Sequence, residues 1–144
     1  MRPLHIRIAG KPIAKKRPKF ARRGKFVTAY NEQETEEGKV ILFIRDVVRM
    51  RSDFQVMTGP VKLKATFFLP RPKSHYGTGR NSGLLKESAP FHHTSKPDLD
   101  NLLKFYKDCC NEIVWRDDSQ VNSIFAEKMY SDTEPSTYLE IEEV

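Results

Sequence analysis

Leu4, Ile6 and Ile8 alternate with His5 and Arg7, and this period of two predicts a half-buried strand that Gly10 and Pro12 close. A cleaner alternation sets Val61, Leu63, Ala65, Phe67 and Leu69 against Lys62, Lys64, Thr66 and Phe68, until Pro70 and Pro72 end it. Between the two, Val40, Ile41, Ile44, Val47 and Val48 recur at helical spacing. Asn31 stands three residues before Glu34, the spacing of a capping box, and Glu32, Glu34, Glu36 and Glu37 suit a helix N-terminus. The pattern predicts a helix over 31–51, weakened at Gly38 by about 1 kcal/mol relative to alanine. Leu99, Leu102, Leu103, Tyr106 and Cys110 predict a second helix over 98–112. Val121 to Tyr130 reads as an ambiguous strand and Thr137 to Glu142 as a last one. The order β-α-β-α-β-β describes an α+β domain spanning residues 1–144, with a mixed sheet packed with two helices.

Two stretches carry no hydrophobic period. Residues 15–26 are basic with two aromatics and read as a loop or a β-ribbon, the basic loop being placed at 11–25. Residues 71–97 are rich in Pro, Gly, Ser, His and Lys and predict a long mobile loop, a kind of segment that is usually functional or disordered.

Charge changes this picture. The formal net charge is +6, but its distribution is uneven: residues 1–31 hold ten Lys/Arg and no Asp/Glu, whereas residues 98–144 hold twelve Asp/Glu against four Lys/Arg. A basic end attracts a polyanion and an acidic end can hold a cation. Cys109 and Cys110 are adjacent, a geometry that disfavours a disulfide, and no Cys/His spacing suggests zinc. Free thiols fit a reducing compartment, the longest apolar run is Val40–Ile44, and no signal peptide is visible. A soluble cytoplasmic protein, not bound to a membrane, is expected.

The acidic end contains Lys96-Pro97-Asp98-Leu99-Asp100-Asn101-Leu102-Leu103-Lys104 and, shortly after it, Trp115-Arg116-Asp117-Asp118-Ser119-Gln120-Val121. Asp98 falls where a helix N-cap is expected, so one reading makes Asp98 a cap and Asp100 a complement to the helix dipole, with no chemistry. Against it, Asp100 and Lys104 are four apart and share a helix face directed away from the Leu102/Leu103/Tyr106 stripe. Asp117 and Asp118 fit either a solvent turn or a metal site in a turn. Hard cations such as Mg²⁺ take oxygen ligands, commonly one or two carboxylates plus water and substrate phosphate. The two acidic stretches supply that set if the chain folds back after the second helix.

These two motifs together resemble the signature of the RusA family of Holliday-junction resolvases, in its phage-type branch. The matching positions are Asp98, Asp100, Asn101, Lys104, Asp117 and Asp118, the detailed likeness covers about residues 93–121, and the segment Arg71-Pro72-Lys73-Ser74-His75-Tyr76 fits as well. The resemblance implies a homodimeric endodeoxyribonuclease that binds four-way DNA junctions and cuts two strands symmetrically. It implies that Asp98, Asp100 and Asp118 are catalytic metal-site carboxylates, that Lys104 is a catalytic cation near the scissile phosphate, and that Asp117 and Asn101 support them.

The physical expectations run alongside. Mg²⁺, with Mn²⁺ as a substitute, would acidify water and neutralise phosphate charge. An acidic site repels DNA unless basic surface surrounds it, and Lys15, Lys16, Arg17, Lys19, Arg22, Arg23, Lys25, Lys73 and Lys96 are the expected DNA contacts, with Arg80 and Lys86 nearby. Phe20 and Phe26 suit either stacking on bases or anchoring the ribbon. His75, His92 and His93 read as polar loop residues, and Trp115 as packing near the site. Two other classes compete: a non-catalytic DNA-binding regulatory protein with its aspartates as caps, and a metal-dependent nucleotide hydrolase, for which no P-loop is present.

Overall fold

The computed structural model describes residues 2–144. In chain order the elements are β1 (Leu4–Ala9), β2 (Lys19–Arg23), β3 (Phe26–Tyr30), α1 (Glu34–Met50), β4 (Val61–Leu69), α2 (Leu99–Cys110), β5 (Val121–Tyr130) and β6 (Ser136–Glu143). The main sheet is mixed, with strand order β1-β6-β4-β5. β6 pairs antiparallel with both β1 and β4, and β4 pairs parallel with β5. Parallel neighbours need a long crossover, and α2 supplies it between β4 and β5. The predicted α+β order holds for the sheet and its two helices. The basic segment forms a separate two-stranded ribbon, β2–β3, inserted before α1.

One face of the sheet carries the core. Val61, Leu63, Ala65, Phe67 and Leu69 are buried in register with Leu139 and Ile141 of β6, and Leu4 and Ile6 of β1 extend the same face. Val40 and Ile44 of α1 and Leu102, Phe105 and Tyr106 of α2 join this core. Each such aliphatic or aromatic side chain contributes roughly 1.5–3 kcal/mol on burial. On the other face Lys62 stands opposite Glu142 and Lys64 opposite Glu140, so the alternation that predicted β4 continues as oppositely charged cross-strand neighbours.

Several local expectations differ from the structure. No capping box forms at Asn31: α1 begins at Glu34 behind Gln33, without a side-chain cap bond. The Asn31 Oδ1 instead accepts from the Gln33 amide at 2.9 Å, making a turn that leads the chain out of the ribbon. The buried Gln33 amide ties down the arm, accepting from Lys16 N at 2.8 Å and donating to Ala14 O at 2.6 Å. The core stripe of α2 is Leu102, Phe105, Tyr106, Cys109 and Cys110, while Leu99 and Leu103 are only half-buried. β5 gave an ambiguous pattern because it is a sheet edge whose residues 122–125 are exposed whichever way they point.

The 71–97 segment has local structure: short 3-10 turns at Lys73–His75 and Gly79–Asn81 and a bridge between Tyr76 and Leu85. Arg71 anchors its start. Its guanidinium lies over the Tyr130 ring at 5.2 Å, bonds Asp132 at 3.1 Å and donates to Pro90 O at 2.7 Å. His75 and His93 both pack on Tyr130, with ring centroids 4.7 Å away in each case. At the far end the Lys128 ammonium donates to Ser95 O and Pro97 O, fixing the approach to α2. Among the described residues no helix is long and apolar enough to cross a membrane.

Candidate active site

Asp98 is the N-cap residue of α2 by position, but its side chain makes no capping hydrogen bond. The reading that reduces Asp98 to a helix cap lacks the bond that defines one. Asp100 and Lys104 follow on the exposed flank of the helix, and no ion pair joins them among the described residues. The Asp100 Oδ1 accepts from the Asn101 amide at 3.0 Å, and the Asn101 carbonyl accepts from Lys15 N at 2.8 Å.

After α2 the chain turns back. Met57 N donates to Val114 O, Arg116 N donates to Met57 O, and Trp115 packs with no exposed surface. The next residues form a 3-10 turn, Asp118–Gln120, with Asp117 as its cap. This is a reciprocal capping box: Asp117 Oδ2 accepts from Ser119 N at 2.9 Å, and Gln120 Oε1 accepts from Asp117 N at 2.8 Å. The Ser119 hydroxyl first, and its backbone amide second, hold the Asp117 carboxyl below its ordinary range. The Gln120 amide also donates to Met57 O and Gly59 O, both at 2.9 Å, which fastens the turn to the start of β4. Asp118 itself accepts from the buried Trp115 Nε1 at 2.8 Å through Oδ1.

The result is an open cleft of about 320 Å³ along α2, lined by Asp100, Leu103, Lys104, Lys107, Asp108 and Asp118. Asp108 is partly neutralised by Lys15, whose ammonium bridges Glu37 of α1 at 2.5 Å and Asp108 of α2 at 3.3 Å. Burial alone would lower the Lys15 pKa, but the two carboxylates more than reverse that and hold it above the ordinary value. Asp100, Lys104 and Lys107 of α2 therefore line one cleft with Asp118 of the returning turn, without Asp108 adding its full charge. Such a surface offers hard oxygen donors and cations together, the mixture that phosphoester chemistry needs.

The family profile described as endodeoxyribonuclease RusA matches residues 9–142, nearly the whole chain and both acidic motifs. The chain belongs to that family. It is also 32% identical over 140 residues to the uncharacterized protein YqaN of Bacillus subtilis (strain 168), covering 95% of this chain and 94% of that protein. RusA membership makes the protein an endodeoxyribonuclease of the Holliday-junction resolvase type, and the nucleases of this family are generally dependent on a divalent metal.

For a RusA nuclease the donor set can be tested against a hard cation. Asp100 and Asp118 share the cleft, and two carboxylates completed by water and phosphate suit such an ion. The expected convergence of three is not seen. Among the described residues no three His, Cys, Asp or Glu side chains stand together closely enough to hold a metal, and Asp98 does not line the cleft. Asp98 stands one residue before the helix, as its N-cap, whereas Asp100 lies within its first turn and lines the cleft.

The basic residues divide into two groups. Lys15 is committed to the ion pairs just described, and Lys19 pairs with Glu32 at 2.6 Å, so neither is the freely solvated cation the sequence suggested. Lys16, Arg17, Arg22, Arg23, Lys25, Lys73 and Lys96 are exposed, as are Arg80 and Lys86. Cys109 and Cys110 are free and buried; burial pushes the Cys109 thiol up to about 12 and raises Cys110 as well, which removes both as nucleophiles.

Sequence reasoning missed Lys107 and Asp108. They lie three and four residues beyond Lys104, a spacing that shares its helix flank and could have flagged them. It also missed Gln120 and Glu143 as supports. The Glu143 carboxylate accepts from Gly59 N at 2.6 Å and Thr58 N at 3.1 Å, contacts between distant parts of the chain that no local pattern encodes.

Proposed function

We propose that this protein resolves four-way DNA junctions by Mg²⁺-dependent, paired, symmetric phosphodiester hydrolysis, acting as a homodimer. The observation that carries the reading is the cleft in which Asp100 and Asp118 meet Lys104 and Lys107, on a chain matched to the RusA profile over residues 9–142. Asp100 and Asp118 would hold the cation, with Asp98 as a third carboxylate from the helix start. When bound, Mg²⁺ (or Mn²⁺) supplies the Lewis acidity that neutralises phosphate charge and acidifies water.

The chain's own groups do the rest. Lys104 stabilises the charge that builds on the phosphate oxygens during in-line attack, and Lys107 attracts the same backbone. Trp115 fixes the orientation of Asp118, and the Asp117–Gln120 box fixes the turn that carries it. Hydrolysis then leaves a 5′-phosphate and a 3′-hydroxyl. Exposed Lys16, Arg17, Arg22, Arg23, Lys25, Lys73 and Lys96 draw the duplex arms against the repulsion of the acidic site. A two-fold axis in the dimer presents one cleft to each of two equivalent strands.

The test is incubation of purified protein with a synthetic four-way junction, in Mg²⁺ or in chelator, with the cuts mapped on all strands and the oligomeric state read by light scattering. Paired cuts at symmetric positions in Mg²⁺ alone, from a dimer, are expected. An intact junction in Mg²⁺ and in Mn²⁺, despite tight binding, would remove the catalytic reading.

A further inference from the structure

The β2–β3 ribbon stands apart from the sheet and exposes both of its faces. Every residue of β3 is exposed, with Phe26 77% accessible and Val27 and Tyr30 also open, and Phe20 of β2 is 71% accessible. An isolated two-stranded ribbon is marginal in water, so a ribbon that displays aromatics to solvent is unsatisfied until something covers it.

Its register shows what one face offers. Lys19 stands opposite Tyr30, Ala21 opposite Thr28 and Arg23 opposite Phe26, and in an antiparallel ribbon these alternate pairs share one face. That face forms an open trough of about 480 Å³ lined by Ala21, Arg23, Thr28 and Tyr30. The floor is small, one methyl and one hydroxyl-bearing side chain. The ends are an aromatic and a guanidinium, four residue steps apart, or about 14 Å along the strands.

Charge decides between occupants. Residues 19–30 contain Lys19, Arg22, Arg23 and Lys25 and no acidic residue. Lys19 is engaged by Glu32, which leaves the other three as free positive charge at the turn end. A second copy of the ribbon would bring like charges together, whereas a nucleic-acid strand brings phosphates to the cations and planar bases to the rings. The root of the ribbon is fixed beside the cleft, since Lys15 contacts both Asn101 and the cleft residue Asp108.

We propose that this trough is a single-strand nucleotide-binding site: it takes a short unpaired stretch of the substrate, with one unstacked base on the Tyr30 ring and a phosphate further along the same strand on Arg23. Thr28 offers its hydroxyl to the base edge from the floor. The proposal deepens the reading of the chain as a nuclease for branched DNA, because a branch point is where bases leave the continuous stack. It gives the ribbon a role separate from the salt-dependent holding of duplex arms.

The test is binding of fluorescein-labelled oligothymidylate and of a blunt duplex, by anisotropy in chelator, to wild type, Tyr30→Phe, Tyr30→Ala and Arg23→Ala. Tyr30→Ala is expected to weaken single-strand binding by roughly five- to a hundredfold, the scale of one stacked base, with duplex affinity nearly unchanged. Tyr30→Phe keeps the ring and should stay within about twofold of wild type, a rescue that loss of fold would not give. Arg23→Ala should weaken single-strand binding and flatten its salt dependence. Wild-type single-strand affinity in Tyr30→Ala, or equal losses in the Ala and Phe variants, would overturn the proposal. So would a dimer that dissociates in the ribbon variants while oligothymidylate binding is kept, since the occupant would then be a second copy. Junction cleavage by the wild type, run in parallel, separates the two ideas. A protein that cleaves without a Tyr30 effect loses the trough alone, and one that binds through Tyr30 without cleaving loses the nuclease reading alone.

Discussion

The Trp115 indole Nε1 donates a 2.8 Å hydrogen bond to Asp118 Oδ1, so the largest fully buried side chain among the described residues holds one oxygen of a cleft carboxylate. The indole cannot move, because it is packed without exposure in the core. One carboxylate oxygen is therefore fixed in place and the other remains for substrate or cation. A buried ring that orients a functional carboxylate is the arrangement in which loss of a single N–H reaches the chemistry.

Trp115→Phe tests this coupling. It keeps much of the ring volume and removes the donor. Cleavage of a four-way junction should fall by about ten- to a hundredfold, with a higher Mg²⁺ concentration needed for half-maximal rate. Stability should fall by about 1–3 kcal/mol from the smaller ring and the lost bond. A variant with the wild-type Mg²⁺ dependence would show that Asp118 does not need its anchor.

The carboxylates should separate binding from cleavage. Asp100→Asn and Asp118→Asn keep shape and remove charge; each should lower the single-turnover cleavage rate by at least about a hundredfold. Junction affinity in chelator should hold or rise, because repulsion of phosphate falls. Asp98→Asn is the informative third variant, since Asp98 lies at the helix start outside the cleft lining. An equally large loss is expected for it if all three carboxylates act on one phosphate, and near-normal cleavage would restrict the site to the other two.

Much of the fold could be read from period alone, because β4 and the buried stripe of α1 each face one core. The sequence failed where a residue's role depends on a distant partner. Lys15 read as a solvated DNA contact, yet it bridges Glu37 and Asp108 on two helices, and nothing within its own segment predicts either. Asp98, Asp100 and Asp118 could be picked out by motif, but their distances depend on how far the chain returns along α2. That return is set by Trp115 and Gln120 on the segment after α2 and by Met57 before β4, far apart in the chain. The ribbon was legible only as an alternative, since strands with no covered face show no alternation of burial.

His93 gives the protein a pH response on its acid side. It is buried against Tyr130, its Nδ1 has no hydrogen-bond partner, and burial together with the nearby Lys128 charge lowers its pKa. The unfolded chain then binds a proton at a pH where the folded protein does not. Stability should therefore fall as pH drops below the unfolded value of about 6.5, until the folded pKa is passed. Melting curves from pH 7.5 to 5.5 should show a falling Tm in wild type and a shallower fall in His93→Phe, which cannot take up that proton. Identical slopes would show that His93 does not contribute.

Lys104 divides a structural role from a chemical one most cleanly. A lysine four residues after an aspartate on a helix usually signifies an exposed ion pair, and such a pair contributes only about 0.3–0.5 kcal/mol. Here no ion pair joins Lys104 to Asp100, although both line the same cleft with Asp118, so the ammonium is available to an incoming phosphate. Lys104→Ala should leave Tm within about 1 °C of wild type, because little packing or pairing is lost. Its single-turnover cleavage should fall by at least about a hundredfold, with junction affinity in chelator changed only slightly. Lys104→Arg keeps the charge but replaces a compact ammonium with a planar fork, and it should restore binding without restoring rate. Lys107→Ala is the control on the same flank: one fewer attractive charge should weaken junction binding and its salt dependence more than it slows the bound complex. Full rescue by Lys104→Arg would show that the cleft needs only positive charge there, whereas full cleavage by Lys104→Ala would remove Lys104 from the chemistry and make Lys107 the better candidate for the group that meets the scissile phosphate.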